Sequence, residues 1–191
     1  MKPLFRSLIV FCLLFFSSYA SASQWTIDPD HSEIRFKIKH ILTTVSGQFT
    51  EFSGNLLFDP QTPEAGTFDF TVLVNSVDTN NGKRDNHLRS KDFFDAAKFP
   101  EMQFESSKIH HLKDNRYALE GVMTIKDVSR KIQIEFEFFP PQPHPFDKNK
   151  NVAGFQTRFS IPRLAYHVGD GKFLKKIECQ SAKLFFENSS H

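Results

Sequence analysis

The chain has 191 residues, 24 basic against 22 acidic, with 39% apolar and 24% charged side chains. Phe occurs 23 times, beside three Tyr and one Trp. That composition excludes a disordered tail and a strongly basic nucleic-acid binder, and the length suits one domain that buries its own core. Two cysteines exclude a disulfide scaffold.

The N-terminus reads as an address. Lys2 and Arg6 precede an uninterrupted apolar run from Leu8 to Phe16, followed by small residues ending in Ala20-Ser21-Ala22. The run is too short to span a bilayer, and the pattern is that of a cleaved secretory signal peptide over residues 1–22. Cleavage removes Lys2 and Arg6, so the remaining chain, 23–191, carries equal numbers of basic and acidic groups. The expected destination is the periplasm. Cys12 leaves with the leader, and Cys179 remains as a thiol with no activating base beside it in sequence.

From residue 33 onward, apolar and polar residues alternate with period two. Ile34, Phe36 and Ile38 share one parity, then Phe68, Phe70, Val72 and Val74, then Met102 and Phe104. Tyr117, Leu119, Met123 and Ile125 follow with Gly121 among them, then Ile132, Ile134, Phe136 and Phe138. Phe155, Phe159 and Ile161 form another set, and Ala182, Leu184 and Phe186 the last. Each segment has one wet and one apolar face, which is antiparallel sheet. Eight such segments with no long helix between them must close on themselves or pair as a sandwich, and the expectation is a mainly β, eight-stranded antiparallel barrel, which also removes the exposed edges. Phe49 is out of parity with Phe52, Gly54, Leu56 and Phe58, which predicts a bulge at Thr50-Glu51.

One stretch does not alternate. Gly82 to Arg89 is expected to be helical, capped from Asp78–Asn81, with Asp85 and Arg89 one turn apart and able to pair. Asp92 to Ala97 is expected to add a short helical turn, making a helical segment around residues 82–96. Pro140-Pro141-Gln142-Pro143-His144-Pro145 is expected to be a loop, since Pro cannot donate to a ladder.

The chemistry-bearing residues form no motif. The eight His include no H-x-x-x-H pair, and there is no C-x-x-C, no G-x-S-x-G elbow and no Gly-rich phosphate loop. His110 and His111 are adjacent, hence on opposite faces of a strand. Neither a catalytic nor a metal site is therefore expected, and no enzyme. What the inward parity does carry is rings. Phe36, Phe49, Phe52, Phe70, Phe104, Phe136, Phe155 and Phe159, with Leu88, Phe93, Phe94 and Met123, are the candidates to line an apolar cavity. The same residues would also make a solid core. An eight-stranded barrel is just wide enough for either, and composition does not choose.

Several stretches together resemble one family. Trp25-Thr26-Ile27-Asp28-Pro29-Asp30-His31-Ser32-Glu33-Ile34-Arg35-Phe36 begins the pattern, which continues through His40 and Val45-Ser46-Gly47-Gln48-Phe49. Arg84-Asp85-Asn86-His87-Leu88-Arg89-Ser90-Lys91-Asp92-Phe93-Phe94-Asp95 is its most specific part. Phe99-Pro100-Glu101-Met102-Gln103-Phe104 and Gly121-Val122-Met123-Thr124-Ile125-Lys126-Asp127-Val128-Ser129-Arg130 follow in order. The chain is similar here to the YceI-like, lipocalin-like secreted proteins. The resemblance implies a barrel holding a long isoprenoid, such as a quinone tail or polyprenyl phosphate, or another long-chain lipid, with no required cofactor. It also implies a periplasmic protein, often a homodimer, tied to stress responses and in some genomes to a membrane cytochrome of the b561 type. The chain departs from the family pattern at Asp127, Ala165, His167 and Cys179.

Physical chemistry makes a carrier reasonable. A buried methylene is worth roughly 0.8 kcal/mol. A chain of tens of carbons gains on the order of 20 kcal/mol gross by that figure, much of it lost again in ordering the chain. The polar head is expected near His31, Arg84, Asp85 and His87, because the polar helical segment must lie over an end or side of the barrel. Arg84, Asp85 and His87 also fit a purely local cap that fixes the helix. The rival roles are an accessory electron carrier for a membrane cytochrome, through a bound quinone, and an enzyme or inhibitor on the same scaffold, which predicts a cavity too small for a chain lipid.

Overall fold

The computed structural model describes residues 23–40, 43–170 and 177–189. The expected leader and the side chains from 171 onward, Cys179, Ala182, Leu184 and Phe186 among them, lie outside the described residues. Eleven strands and one α-helix follow in chain order. They are β1 (Ser23–Ile27), β2 (Glu33–His40), β3 (Thr43–Phe49), β4 (Phe52–Phe58), β5 (Thr67–Leu73), β6 (Val77–Asp78), α1 (Gly82–Arg89), β7 (Glu101–Lys113), β8 (Arg116–Ile125), β9 (Val128–Pro143), β10 (Lys150–Ile161) and β11 (Ile177–Ser189).

Every pairing is antiparallel. The ladder runs β1-β4-β5-β7-β8-β9-β10-β11, and β11 returns to β1, so eight strands form a closed ring. β2, β3 and β6 are carried beyond β11. The count exceeds the expected eight by three, because two arms are broken and the two-residue β6 is added on β3. β1 and β2 both pair along β11, through Ile27↔Phe186 and Ile34↔Ala182. β4 faces β1 and β3 faces β2, so these four strands are one long hairpin with a fracture in each arm.

Both fractures have local causes. In the first arm Pro29 has no N–H to give a ladder, and Asp28 accepts from the Asp30 amide (3.0 Å) and holds the His31 ring (2.6 Å). In the second, the expected bulge at Thr50-Glu51 is a complete interruption. The Thr50 amide and hydroxyl both donate to the Ser76 carbonyl, and the Glu51 carbonyl accepts from Leu73 N–H and the Ser76 hydroxyl.

The helix forms where expected. Asn81 caps it by accepting from the Arg84 amide (3.1 Å), and Ser90 ends it by donating twice to the His87 carbonyl. The expected second helical turn at Asp92–Ala97 is instead a set of tight turns, because Asp95 adopts φ 53° and cannot continue a helix. The Asp85–Arg89 pairing is also replaced. Asp85 turns inward to Thr79, and Arg89 donates to the carbonyls of Asn75 and Val77. The proline run is strand up to Pro143 rather than loop. β8 stops pairing at Arg116↔Glu137, so the far half of β9 needs no donors on that side and pairs with β10 alone.

Candidate functional site

The barrel interior divides into two parts. Toward the turn joining β7 and β8, rings pack solidly. Phe58 sits 5.2 Å from Tyr117, 5.9 Å from Phe136, 5.1 Å from Phe138 and 5.8 Å from Phe155, mostly edge to face. Trp25 closes this end and donates to the Phe58 carbonyl. Burial, with a smaller contribution from the Asp59 charge, pushes the Tyr117 phenol up.

Toward the turn joining β8 and β9 the interior is hollow. A cavity of about 170 Å³ runs from Leu56, Phe136 and Phe155, over the packed rings, to Ile161, Phe94 and Val168. Its walls are almost wholly hydrocarbon. An apolar cavity of roughly 150 Å³ stays dry and accepts an apolar guest, so this slot is suited to hydrocarbon rather than water. Met102 and Met123 line it, and their flexible chains give it room to adapt to a longer guest.

A lid covers the hollow end. It comprises α1, the turns after it and a 3₁₀ turn at Arg163–Tyr166. Leu88, Phe94, Tyr166 and Val168 bury their side chains beneath it. The β8–β9 turn clasps the lid: Lys126 donates to the carbonyls of Phe93 and His167, each at 2.8 Å, and Arg130 donates to that of Ala165. His167 meets Asp127 at 3.1 Å, and this bond holds the Asp127 carboxyl below the usual carboxylate range. Arg163 is 5% exposed and lines the cavity, its Nη1 donating to the Val168 carbonyl at 2.5 Å.

Of the residues nominated from sequence, Phe36, Phe49, Phe70, Phe94, Phe104, Met123, Phe136, Phe155 and Phe159 line the cavity. Phe52, Leu88 and Phe93 do not. Phe52 lies against the Phe70 ring at 5.9 Å, and Leu88 is buried in the core behind the lid. Phe93 sits between the His87 ring and the Arg163 guanidinium. None of His31, Arg84, Asp85 and His87 is among the lining residues. His31 is bound to Asp28 at the fracture of the first arm, and His87 stands exposed 3.9 Å from Asp92. Arg84 and Asp85 are consumed in fixing the helix to the chain before it. Asp85 accepts from the Thr79 amide (2.9 Å) and hydroxyl (2.5 Å), and Arg84 donates to the Thr79 hydroxyl and carbonyl.

The cavity also takes aliphatic walls, such as Ile34, Val72 and Ile134, that a search for rings passes over although their parity marks them as inward. Arg163 and Val168 gave no signal, because they lie outside any alternating segment.

Residues 25–182 match the YceI-like domain. The chain belongs to the YceI-like family. A relative from Yersinia pestis (strain Pestoides F), called UPF0312 protein, is 34% identical over 152 residues, 78% of each chain. One from Yersinia enterocolitica is 32% identical over 157 residues, 81% of this chain and 80% of its own. Among solved structures, the Campylobacter jejuni YCEI protein superposes with a TM-score of 0.67 at 28% identity, covering 82% of this chain and 91% of that one. Burkholderia cenocepacia BcnA shares the fold with a TM-score of 0.74 at 23% identity, over 85% of this chain and 99% of that one. A polyisoprenoid binding domain from Saccharophagus degradans shares it with a TM-score of 0.62 at 13% identity, over 88% and 99%. The family barrel and the hollow, hydrocarbon-walled interior thus coincide in this chain.

Proposed function

We propose that this protein is a periplasmic carrier that holds a long-chain isoprenoid or similar lipid in its barrel and performs no chemistry on it. The observation that carries the reading is the character of the cavity: it is walled by hydrocarbon, lined by the adaptable Met102 and Met123 and covered by a clasped lid, and at about 170 Å³ it takes a short stretch of chain and must widen to hold a long one. The leader-like N-terminus supports export, and the fold shared with the polyisoprenoid binding domain from Saccharophagus degradans supports the ligand class. Hydrocarbon contact rewards each buried methylene without demanding a fixed number of them, so chain length is tolerated. A quinone tail and a polyprenyl tail satisfy the same walls.

The test is solvent extraction of protein purified from its native host, followed by mass spectrometry. A chain lipid in stoichiometric amount is expected. Val72→Phe puts a ring into the slot and is expected to retain about tenfold less, the equivalent of roughly two methylenes lost. Protein that carries no chain lipid, or a variant that retains as much, overturns the reading.

A further inference from the structure

We propose that the tip of the β9–β10 hairpin is a membrane-docking site that seats the Phe146 ring in the interface of an anionic lipid surface. The inference stands on a part of the molecule that the carrier reading does not use.

β9 makes its last pair with β8 at Arg116↔Glu137 and runs on to Pro143 beside β10. The hairpin then turns through residues 144–149, and there Phe146 is 93% exposed. Single apolar residues on a surface are ordinary, and Leu57, Leu112 and Phe139 are of that kind, each more than half covered. A whole phenylalanine ring held in water at the end of a hairpin is a different thing. It is apolar area that folding has left unburied.

The turn that presents the ring is built. His144 Nδ1 accepts from the amides of Phe146 (3.1 Å) and Asp147 (2.9 Å). Asp147 Oδ1 accepts from the Asn149 amide (3.0 Å), and its carbonyl accepts from the Lys150 amide (3.1 Å). The His144 amide donates to the Lys150 carbonyl (3.0 Å). Pro143 and Pro145 have no amide hydrogen to place. A lipid surface rewards this economy, because it supplies few acceptors, and a bare amide carried toward hydrocarbon is costly. A protein groove would supply acceptors of its own and has no need of it. The charge agrees with a lipid partner. Lys148 stands exposed two residues beyond Phe146, while the half-buried Asp147 turns its carboxylate back onto the Asn149 amide. An ammonium beside an inserted ring favours anionic head groups.

The experiment sediments the protein with vesicles of phosphatidylcholine alone and of an equimolar mixture with phosphatidylglycerol. Wild type is expected to bind the anionic vesicles about fivefold more tightly than the neutral ones, the effect of one lysine near the surface. Phe146→Ser is expected to lose about tenfold in affinity with an unchanged circular dichroism spectrum. Leu112→Ser removes an exposed apolar side chain near the end of β7, about 20 Å back from the tip by strand length, and is expected to bind as wild type does. Phe146→Trp is expected to keep binding and to shift its added emission to the blue with vesicles, quenched by brominated lipid. Failure of wild type to sediment with either vesicle overturns the inference, as does a Phe146→Ser variant that binds equally well. Equal losses from Phe146→Ser and Leu112→Ser, or a Trp emission that vesicles leave unmoved, overturn the placement at the tip. Equal binding to both vesicles overturns the anionic assignment. Sedimentation reads docking whether or not the barrel holds a lipid, so its failure is distinct from failure of the carrier reading.

Discussion

At the packed end, Phe58 on β4 meets rings on β8, β9 and β10, strands from the far side of the ring. At the hollow end, rings meet along the wall. Phe36 on β2 lies 5.4 Å from Phe49 on neighbouring β3, Phe68 stacks on Phe70 of its own strand, and Phe68 reaches Phe104 on adjacent β7. The residue type is the same in both regions. Contact across the barrel makes a solid core, and contact along its wall leaves a slot between the walls.

That contrast can be broken by truncation. Phe58→Ala removes a ring held on all sides and is expected to cost about 3–5 kcal/mol in chemical denaturation. Phe70→Ala, on the delipidated protein, is expected to cost about half as much, because one face of that ring already borders empty space. Equal costs would show that the slot is packed. The lid provides a smaller effect. Asp85→Ala strips the Thr79 amide and hydroxyl of their buried acceptor and is expected to cost about 1–3 kcal/mol, with faster amide exchange in α1 and little change in the packed rings. Loss of protection spread evenly over the barrel would argue against a lid that moves apart from it.

The smallest effect sharpens the same point by pH. The His167 bond holds the Asp127 carboxyl below its ordinary value of 3.8. A carboxyl depressed in the folded state contributes stability that is fully present above the unfolded value. That contribution is lost as pH falls through the lower folded value. His167→Ala is expected to raise the Asp127 titration midpoint toward 3.8, read by NMR, and to remove a correspondingly small acid-dependent loss of stability. An unmoved midpoint would show that the clasp owes nothing to this pair.

Much of the barrel was legible in the chain, since alternation is local and a strand points successive side chains to opposite faces. Ile34, Phe36 and Ile38 were inward on parity alone, and the helix at Gly82–Arg89 announced itself by failing to alternate. The head-group nomination fared differently. Arg84 and Asp85 looked like a polar cluster available to a ligand, but Thr79, which neither periodicity nor charge singled out, takes their hydrogen bonds. The proline run misled because an edge with no neighbour tolerates residues that a central strand rejects.

What the sequence alone determined is which side chains face in and which family's barrel they build, because period and motif are properties of neighbouring residues. Whether a given phenylalanine fills the interior or walls a cavity was decided by tertiary structure. That outcome depends on the distance to residues on the opposite side of a closed sheet, far apart in the chain. The same holds for Arg163, whose burial against the slot comes from the lid folding over it.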